Sequence, residues 1–422
     1  MGWSLFDSLA LEVRTERPRK IPNTRQRMAH FHVMAKPTGP ICNLDCEYCF
    51  YLEQEQSYPQ DHSFQISEDK LERYIQNYIA SQSGDEINFA WQGGEPTLLG
   101  VKFFEKVIAL QKRYAQGKTI SNSIQTNGTL LNDRWGKFLK EHHFLVGLSL
   151  DGTRELHDRY RVDKKAKPSF DRVMKGLAIL RKYQIEFNLL CVVHRHNAQH
   201  PEQVYSFFKG IGAHFIQFIP LVDQVNGQVA DWSVRPQDYG NFLIRIFDQW
   251  IRTDIGKVFV QIFDVSLGNW MGLGSSLCLF AETCGRAIAL EHDGKVYSCD
   301  HYVTPHHQIG DIEQHSFLEM LTSEQQIQFG QAKQTSLPQY CRKCEVKFAC
   351  QGECPRNRFA TTPEGEPGLN YLCEGYRAFF NYIDPYMQVM AALLKAGRPA
   401  ADLMSMVTPT GFNPLLLQSQ RR

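Results

Sequence analysis

The sequence predicts an α/β protein, a parallel sheet of repeated βα units followed by a smaller cysteine-rich domain. Two observations carry the first part. Over positions 30–222, six strand-like runs alternate with segments of helical periodicity, which is the pattern of βα units. Turn-forming pairs follow several of these runs, at Gly93-Gly94, Asn127-Gly128 and Asp151-Gly152. The third observation is a change of texture beyond Gly268, where cysteines cluster and the apolar runs shorten.

The strand-like runs are 30–35, 87–91, 123–126, 146–150, 186–193 and 215–221. Each is short and rich in β-branched or aromatic residues, as buried strands are. The helical segments between them are 68–80, 102–114, 133–141, 170–183 and 201–209, with a further one at 234–253. A last helical run covers 387–395, and the Pro/Gly-containing end after it reads as mobile. The basic stretch 159–167 reads as a solvated loop. In barrel-like α/β folds the loops after the strands carry the site, so the polar residues there are the ones to weigh.

The 422 residues carry 46 Lys+Arg against 45 Asp+Glu, a net charge of +1 that gives no bulk electrostatic case for nucleic-acid binding. No apolar run approaches the ~18 residues that span a bilayer. Positions 1–27 lack the continuous apolar stretch of a secretory signal. A cytoplasmic protein is therefore expected, in a compartment where stable disulfides are uncommon. Twelve cysteines there call for another explanation, and metal binding leads.

Their distribution points to two metal-bearing regions. Cys42, Cys46 and Cys49 form C-x3-C-x2-C just after the first strand, and eight more lie between 278 and 373. Cys191 sits inside the run 186–193 and reads as a small core hydrophobe. A [4Fe–4S] cluster takes four thiolates, so a three-thiolate loop leaves one iron open. S-adenosylmethionine, with its amino and carboxylate groups, suits such a position. A zinc loop completed by His30 or His32 is the rival. For the eight later cysteines, two fully ligated clusters compete with structural zinc at Cys341-x2-Cys344.

The segment from Cys42 to Phe50, CNLDCEYCF, resembles the cluster loop of the radical S-adenosylmethionine (SAM) superfamily. The order Cys278, Cys284, Cys299, Cys341, Cys344, Cys350, Cys354, Cys373 resembles the SPASM domain appended to radical enzymes that modify peptides. Further stretches narrow the likeness to anaerobic sulfatase-maturating enzymes. These are Cys49-Phe50-Tyr51, Trp91-Gln92-Gly93-Gly94-Glu95-Pro96-Thr97, Gln125-Thr126-Asn127-Gly128, Ser149-Leu150-Asp151-Gly152, Leu156-His157-Asp158-Arg159-Tyr160-Arg161 and Cys299-Asp300-His301-Tyr302.

The resemblance implies a partial (β/α)6 barrel followed by a two-cluster SPASM-type domain. On that basis the chain divides into an N-terminal extension (1–29), the barrel (30–233), a helical connector (234–267), the SPASM-type domain (268–384) and a C-terminal helix and tail (385–422). The implied cofactors are S-adenosyl-L-methionine and three [4Fe–4S] clusters, one held by Cys42, Cys46 and Cys49. Cys278, Cys284, Cys299 and Cys354 would hold the nearer auxiliary cluster, and Cys341, Cys344, Cys350 and Cys373 the farther one. Tyr48, Gly94, Ser149, Arg161 and Leu221 match positions that contact S-adenosylmethionine, and Tyr51 and Gln92 match substrate-side positions. Glu95, or the backbone beside it, is placed to receive the cofactor's ammonium group. Arg161 would pair with the cofactor's carboxylate.

The implied reaction oxidises an active-site cysteine or serine of a sulfatase to Cα-formylglycine. A 5′-deoxyadenosyl radical takes a Cβ hydrogen, Asp300 accepts the proton, and the auxiliary clusters accept an electron. His301 is the rival base. The alternative is another SPASM-domain peptide maturase, forming a crosslink or thioether on a ribosomal peptide. The expected partners are a sulfatase polypeptide and a low-potential electron donor such as flavodoxin or ferredoxin. No nucleic acid and no membrane is expected to bind, and the protein is expected to be monomeric.

Overall fold

The computed structural model describes residues 31–59, 63–408 and 411–412. The extension 1–29 and His30 lie outside them. The first half alternates strand and helix: β1 (His32–Lys36), α1 (Glu68–Ser81), β2 (Glu86–Trp91), α2 (Gly100–Tyr114), β3 (Thr119–Thr126), α3 (Asp133–Glu141), β4 (Leu145–Ser149), α4 (Phe170–Lys182), β5 (Phe187–Val193), α5 (Pro201–Gly210) and β6 (Phe215–Pro220). These strands pair in parallel and in chain order. The arrangement is the partial (β/α)6 barrel expected above.

Local chemistry starts the helices where the sequence changes. Ser67 caps α1 by accepting from Lys70 N, with Glu68 and Asp69 in the first turn. Asn132 caps α3 by accepting from Arg134 N and Trp135 N. Between sheet and helices lies an aromatic core containing Tyr74, Phe89, Trp91 and Phe104, all fully buried. Each large apolar side chain so placed contributes about 1.5–3 kcal/mol relative to exposure. Cys191 is part of this core.

After β6 come α6 (Pro236–Thr253), β7 (Phe259–Val260) and α7 (Gln261–Trp270), and β7 extends the parallel sheet beyond β6. The cysteine-rich part contributes β8 (Ala287–Glu291), β9 (Lys295–Tyr297) and β10 (Gln308–Asp311), then α8 (Phe317–Thr322), α9 (Glu324–Thr335) and α10 (Cys373–Lys395). Strand β8 lies parallel against β1, with His32 opposite Ala287 and Lys36 opposite Glu291. Strands β9 and β10 follow antiparallel, so one ten-stranded sheet runs β10-β9-β8-β1-β2-β3-β4-β5-β6-β7.

The sequence pattern places the last helix at 387–395, but α10 begins at Cys373 and runs straight through Pro385. Proline in a helix interior removes one hydrogen bond. Here burial on both sides of it, at Phe379, Phe380, Ile383, Met387 and Met390, holds the helix together. The stretch 159–167 is more than a solvated loop. Asp45 N donates to Val162 O (2.8 Å) and Glu47 N to Tyr160 O (3.1 Å), so its main chain braces the loop after β1.

Candidate active site

The carboxyl ends of β1–β6 open into one cavity of about 270 Å³. Every barrel residue singled out from the sequence as cluster, cofactor or substrate contact lines it, and so does Asp300 from the cysteine-rich part. The loop from β1 supplies Cys42, Cys46 and Cys49. Gly94 explains part of the loop's shape. A Cβ there would stand 2.0 Å from Ile41 O, so only glycine lets the β2 turn lie against the cysteine loop. Gly94 N donates to Gly39 O (2.7 Å) and Glu95 N to Ile41 O (2.8 Å).

Glu95 is buried and already engaged. Its carboxylate accepts from Thr97 N (3.0 Å), Thr97 Oγ1 (2.5 Å), Thr126 Oγ1 (2.7 Å) and Asn127 N (2.8 Å). It ties the end of β2 to the end of β3, which leaves the backbone of this turn as the surface open to an ammonium group. Asn127 reaches the cysteine loop directly, donating to Asn43 Oδ1 (2.9 Å) and toward Cys42 Sγ (3.6 Å). Burial, then the charge of Glu95, push the Cys42 thiol up to about 11. Burial pushes Cys46 to about 12 against the pull of Arg161. Both are protonated thiols at neutral pH in the bare protein, so a metal that binds them as thiolates must displace their protons.

Arg161 does not stand free above the loop. Its Nε donates to Asp151 Oδ2 (2.7 Å) and its Nη2 to Asp151 Oδ1 (3.2 Å). Asp151 also accepts from the Tyr48 hydroxyl and from Val192 N (2.9 Å). Burial raises the Asp151 carboxyl, but the guanidinium outweighs it and holds the group below the usual carboxylate range. The pair fixes both Tyr48 and the plane of Arg161 at the cavity wall. Ser149 and Leu221 line the same wall from β4 and the end of β6.

On the opposite side, Asp300 follows Cys299 and forms an ion pair with Lys36, the last residue of β1. Lys36 is 2% exposed, and its ammonium lies 3.4 Å over the Tyr51 ring. The Tyr51 hydroxyl donates to buried Glu291. Burial raises the Asp300 carboxyl, yet Lys36, His301 and Arg356 hold it below the ordinary value, so it is ionised at neutral pH. His301 also borders the cavity. Its Nδ1 lies 3.6 Å from Cys354 Sγ, its ring packs edge-on against Phe50, and burial lowers its pKa. Lys36 and Glu291 were not singled out from sequence. The one local signal was an ionisable residue ending a buried strand.

The eight later thiols fall into two groups. Cys278, Cys284, Cys299 and Cys354 feel one another's charge. Cys341, Cys344, Cys350 and Cys373 do likewise and together line one small cavity. Among the described residues no three His, Cys, Asp or Glu side chains are placed to hold a single metal ion. His32, the described zinc candidate, opens β1 at the end away from the cysteine loop.

Residues 37–208 match the radical SAM superfamily, and residues 278–345 match an iron–sulfur cluster-binding domain, SPASM. The chain is 46% identical over 389 residues to a serine-type anaerobic sulfatase-maturating enzyme of Bacteroides thetaiotaomicron, covering 88% of this chain and 94% of the relative. It belongs to the anaerobic sulfatase-maturating enzymes of the radical SAM superfamily. Within that family it is 34% identical to a cysteine-type enzyme of Clostridium perfringens over 375 residues, 87% of this chain and 100% of the relative. A solved maturating enzyme, native anSMEcpe with bound AdoMet and Cp18Cys peptide, superposes with a TM-score of 0.78 at 35% identity, covering 86% of this chain and 98% of that one. A likeness at 12% identity to Streptococcus suis SuiB, TM-score 0.60, shows the shared fold alone.

Proposed function

We propose that this chain oxidises a serine, and with lower preference a cysteine, of a sulfatase polypeptide to Cα-formylglycine. The observation that carries the reading is Asp300, an ionised carboxylate next to Cys299 that faces the same cavity as the three-cysteine loop. The serine preference rests on relatives. The serine-type enzymes are 46% and 39% identical to this chain, the cysteine-type ones 36% and 34%.

Cys42, Cys46 and Cys49 would hold the first [4Fe–4S] cluster, with S-adenosylmethionine on its open iron. The two later thiol groups would hold the auxiliary clusters. When bound, these groups supply the radical that takes a Cβ hydrogen atom and the acceptor for the electron left behind. The chain's own residues do the rest. The β2 turn offers backbone to the cofactor's amino group, and Arg161, oriented by Asp151, faces its carboxylate. Asp300 takes the proton of the substrate hydroxyl or thiol; together with the hydrogen lost from Cβ, this carries a serine to the aldehyde directly and a cysteine to a thioaldehyde, which water converts to the aldehyde with release of hydrogen sulfide. His301 borders the same cavity but is the poorer base, because its Nδ1 lies against Cys354 Sγ. Tyr51 and Gln92 stand at the substrate side of the cavity.

Among the described residues no helix is long and apolar enough to cross a membrane. We place its action in the cytoplasm, and radical initiation calls for a low-potential donor of the flavodoxin or ferredoxin type. We take the enzyme to act as a monomer. The test is anaerobic incubation with S-adenosylmethionine, a reductant and peptides of S-x-P-x-R and C-x-P-x-R type, read by mass spectrometry. Formylglycine on the serine peptide is expected. Cofactor cleavage with both peptides unchanged would overturn the substrate assignment.

A further inference from the structure

Arg358 sits at the junction of the two later thiol groups, and among the described residues its guanidinium is held by backbone carbonyls rather than by an ion pair. Its Nε donates to Gly352 O (2.8 Å), its Nη2 to Gln351 O (2.9 Å) and Glu353 O (3.1 Å), and its Nη1 to Lys333 O (2.5 Å) and Ser336 Oγ (3.4 Å). Among the described residues none of its hydrogen bonds goes to a carboxylate. The three consecutive carbonyls belong to the loop from Cys350 to Cys354, which carries one thiol of each group.

The backbone is bent to make this cradle. Gln351, Gly352 and Glu353 all have left-handed φ, at 49°, 69° and 50°. Non-glycine residues rarely adopt this region, and here two of the three do. A Cβ on Gly352 would stand 2.3 Å from Leu337 Cδ2 and 2.8 Å from Arg358 Nη2, so glycine makes room for both side chains. The thiols that act most strongly on Arg358 are Cys341, Cys284 and Cys350, drawn from both groups.

Two other buried charged side chains lie beside Arg358. Lys333 is buried and donates from Nζ to Cys278 O (2.5 Å) and Leu279 O (2.8 Å), beside the first group only. Glu353 is buried, but its carboxylate is taken by Asn357 Nδ2 (3.1 Å) and Asn370 Nδ2 (2.5 Å). Arginine keeps its charge at any pH a protein survives. A cluster with four thiolates is an anion that becomes more negative on reduction, and nearby charge helps to set its potential.

We propose that Arg358 is a shared positioning cation for the two auxiliary clusters, raising the reduction potential of both and so favouring uptake of the substrate's electron. The inference rests on the assignment of the eight thiols to two clusters. It goes further in giving a non-ligand residue the task of tuning both at once.

The test uses the reconstituted full chain, its Arg358→Gln and Arg358→Lys variants, iron and sulfide analysis, and potentiometric titration followed by electron paramagnetic resonance. Glutamine keeps donors but no charge, and lysine keeps the charge without the fork. In R358Q both auxiliary midpoints are expected to move to more negative values while that of the first cluster stays. In R358K they are expected to lie near wild type. R358Q with wild-type iron and unmoved midpoints overturns the proposal. Should R358Q lose iron, R358K decides: retained iron and near-wild-type midpoints support the charge role, and loss of iron there too overturns it in favour of a scaffold for the loop. A wild-type content near four irons, rather than about twelve for three clusters, would overturn the ligand assignment and the proposal with it.

Discussion

Replacing Lys36 by methionine tests whether the charge state of Asp300 is built into the barrel. The ammonium is 2% exposed and its partner 21%. Removing one member of a buried ion pair costs about 3–5 kcal/mol, and the partial exposure of Asp300 favours the low end. About 3 kcal/mol corresponds to a factor of about 10² against the carboxylate form. Because the carboxyl starts below the ordinary value, that factor still leaves it largely ionised at neutral pH and protonates it increasingly on the acid side. We expect formylglycine formation to be little changed near pH 7 and above and to fall severalfold toward the acid end of the range, with 5′-deoxyadenosine formation much less affected because the cysteine loop is untouched. The sign with pH follows. Asp300 in the wild type is held below the ordinary carboxylate value, so it adds no pH dependence near neutrality. In Lys36→Met the carboxyl must first lose its proton, so the rate should climb with pH. The assay is single-turnover mass spectrometry of peptide product between about pH 6 and 8.5, with the nucleoside product quantified in parallel. A wild-type rate with a flat profile would refute the reasoning. Proportional loss of both products would move the effect of Lys36 to the first cluster.

Asp300→Asn should keep cofactor cleavage and lose about 10²–10⁴-fold in formylglycine; wild-type product yield would remove Asp300 from its role. Gly94→Ala forces a Cβ to within 2.0 Å of Ile41 O and should destabilise the cysteine loop by about 1–3 kcal/mol, seen as iron missing from the first cluster while the auxiliary iron stays. Buried His157 and His194 have pKa values lowered by burial to about 3 and about 4, from 6.5. The unfolded chain therefore binds more protons on the acid side. Stability should be flat above about pH 7 and fall below pH 6.5, each histidine adding up to about 1.4 kcal/mol per pH unit. Urea titrations of the apo-protein at several pH values read this slope, and His157→Gln should make it shallower.

Much of the barrel was legible because its signals are local. Each of β1–β6 is a short apolar run followed by a turn, and the helices between them carry their own periodicity and caps. The cysteine loop announced itself by spacing. What escaped depends on contacts distant in sequence. Strand β8 is short and has no alternation to mark it, and its partner β1 lies some 255 positions earlier by the His32–Ala287 register. The Lys36–Asp300 and Tyr51–Glu291 contacts join residues that far apart, so neither pair is visible to a local reading. The sequence singled out Glu95 as a possible ligand contact, but its four intramolecular donors belong to β2 and β3 ends that only the fold brings together. The last helical run reads as beginning only at 387, and the burial that carries the helix back through Pro385 to Cys373 comes from packing. Beyond Arg161 the stretch 159–167 shows only its charge in sequence, while its bracing of the cysteine loop is done by main-chain atoms.

The parallel pairing of β8 with β1 has a mechanical consequence. Five register pairs join the segment leading to Asp300 to the strand leading to the cysteine loop. Strands in a sheet lie about 4.8 Å apart and move together. The seam is therefore a weld: opening the protein there would mean unzipping a sheet in its middle. Access for a polypeptide has to come through the remaining rim, where Phe50, Ile219, Asp223 and Arg356 border the cavity. The interval between the group that starts the oxidation and the carboxylate that finishes it is set by carpentry rather than by motion. Any change of shape during turnover falls to the guest peptide and to that rim.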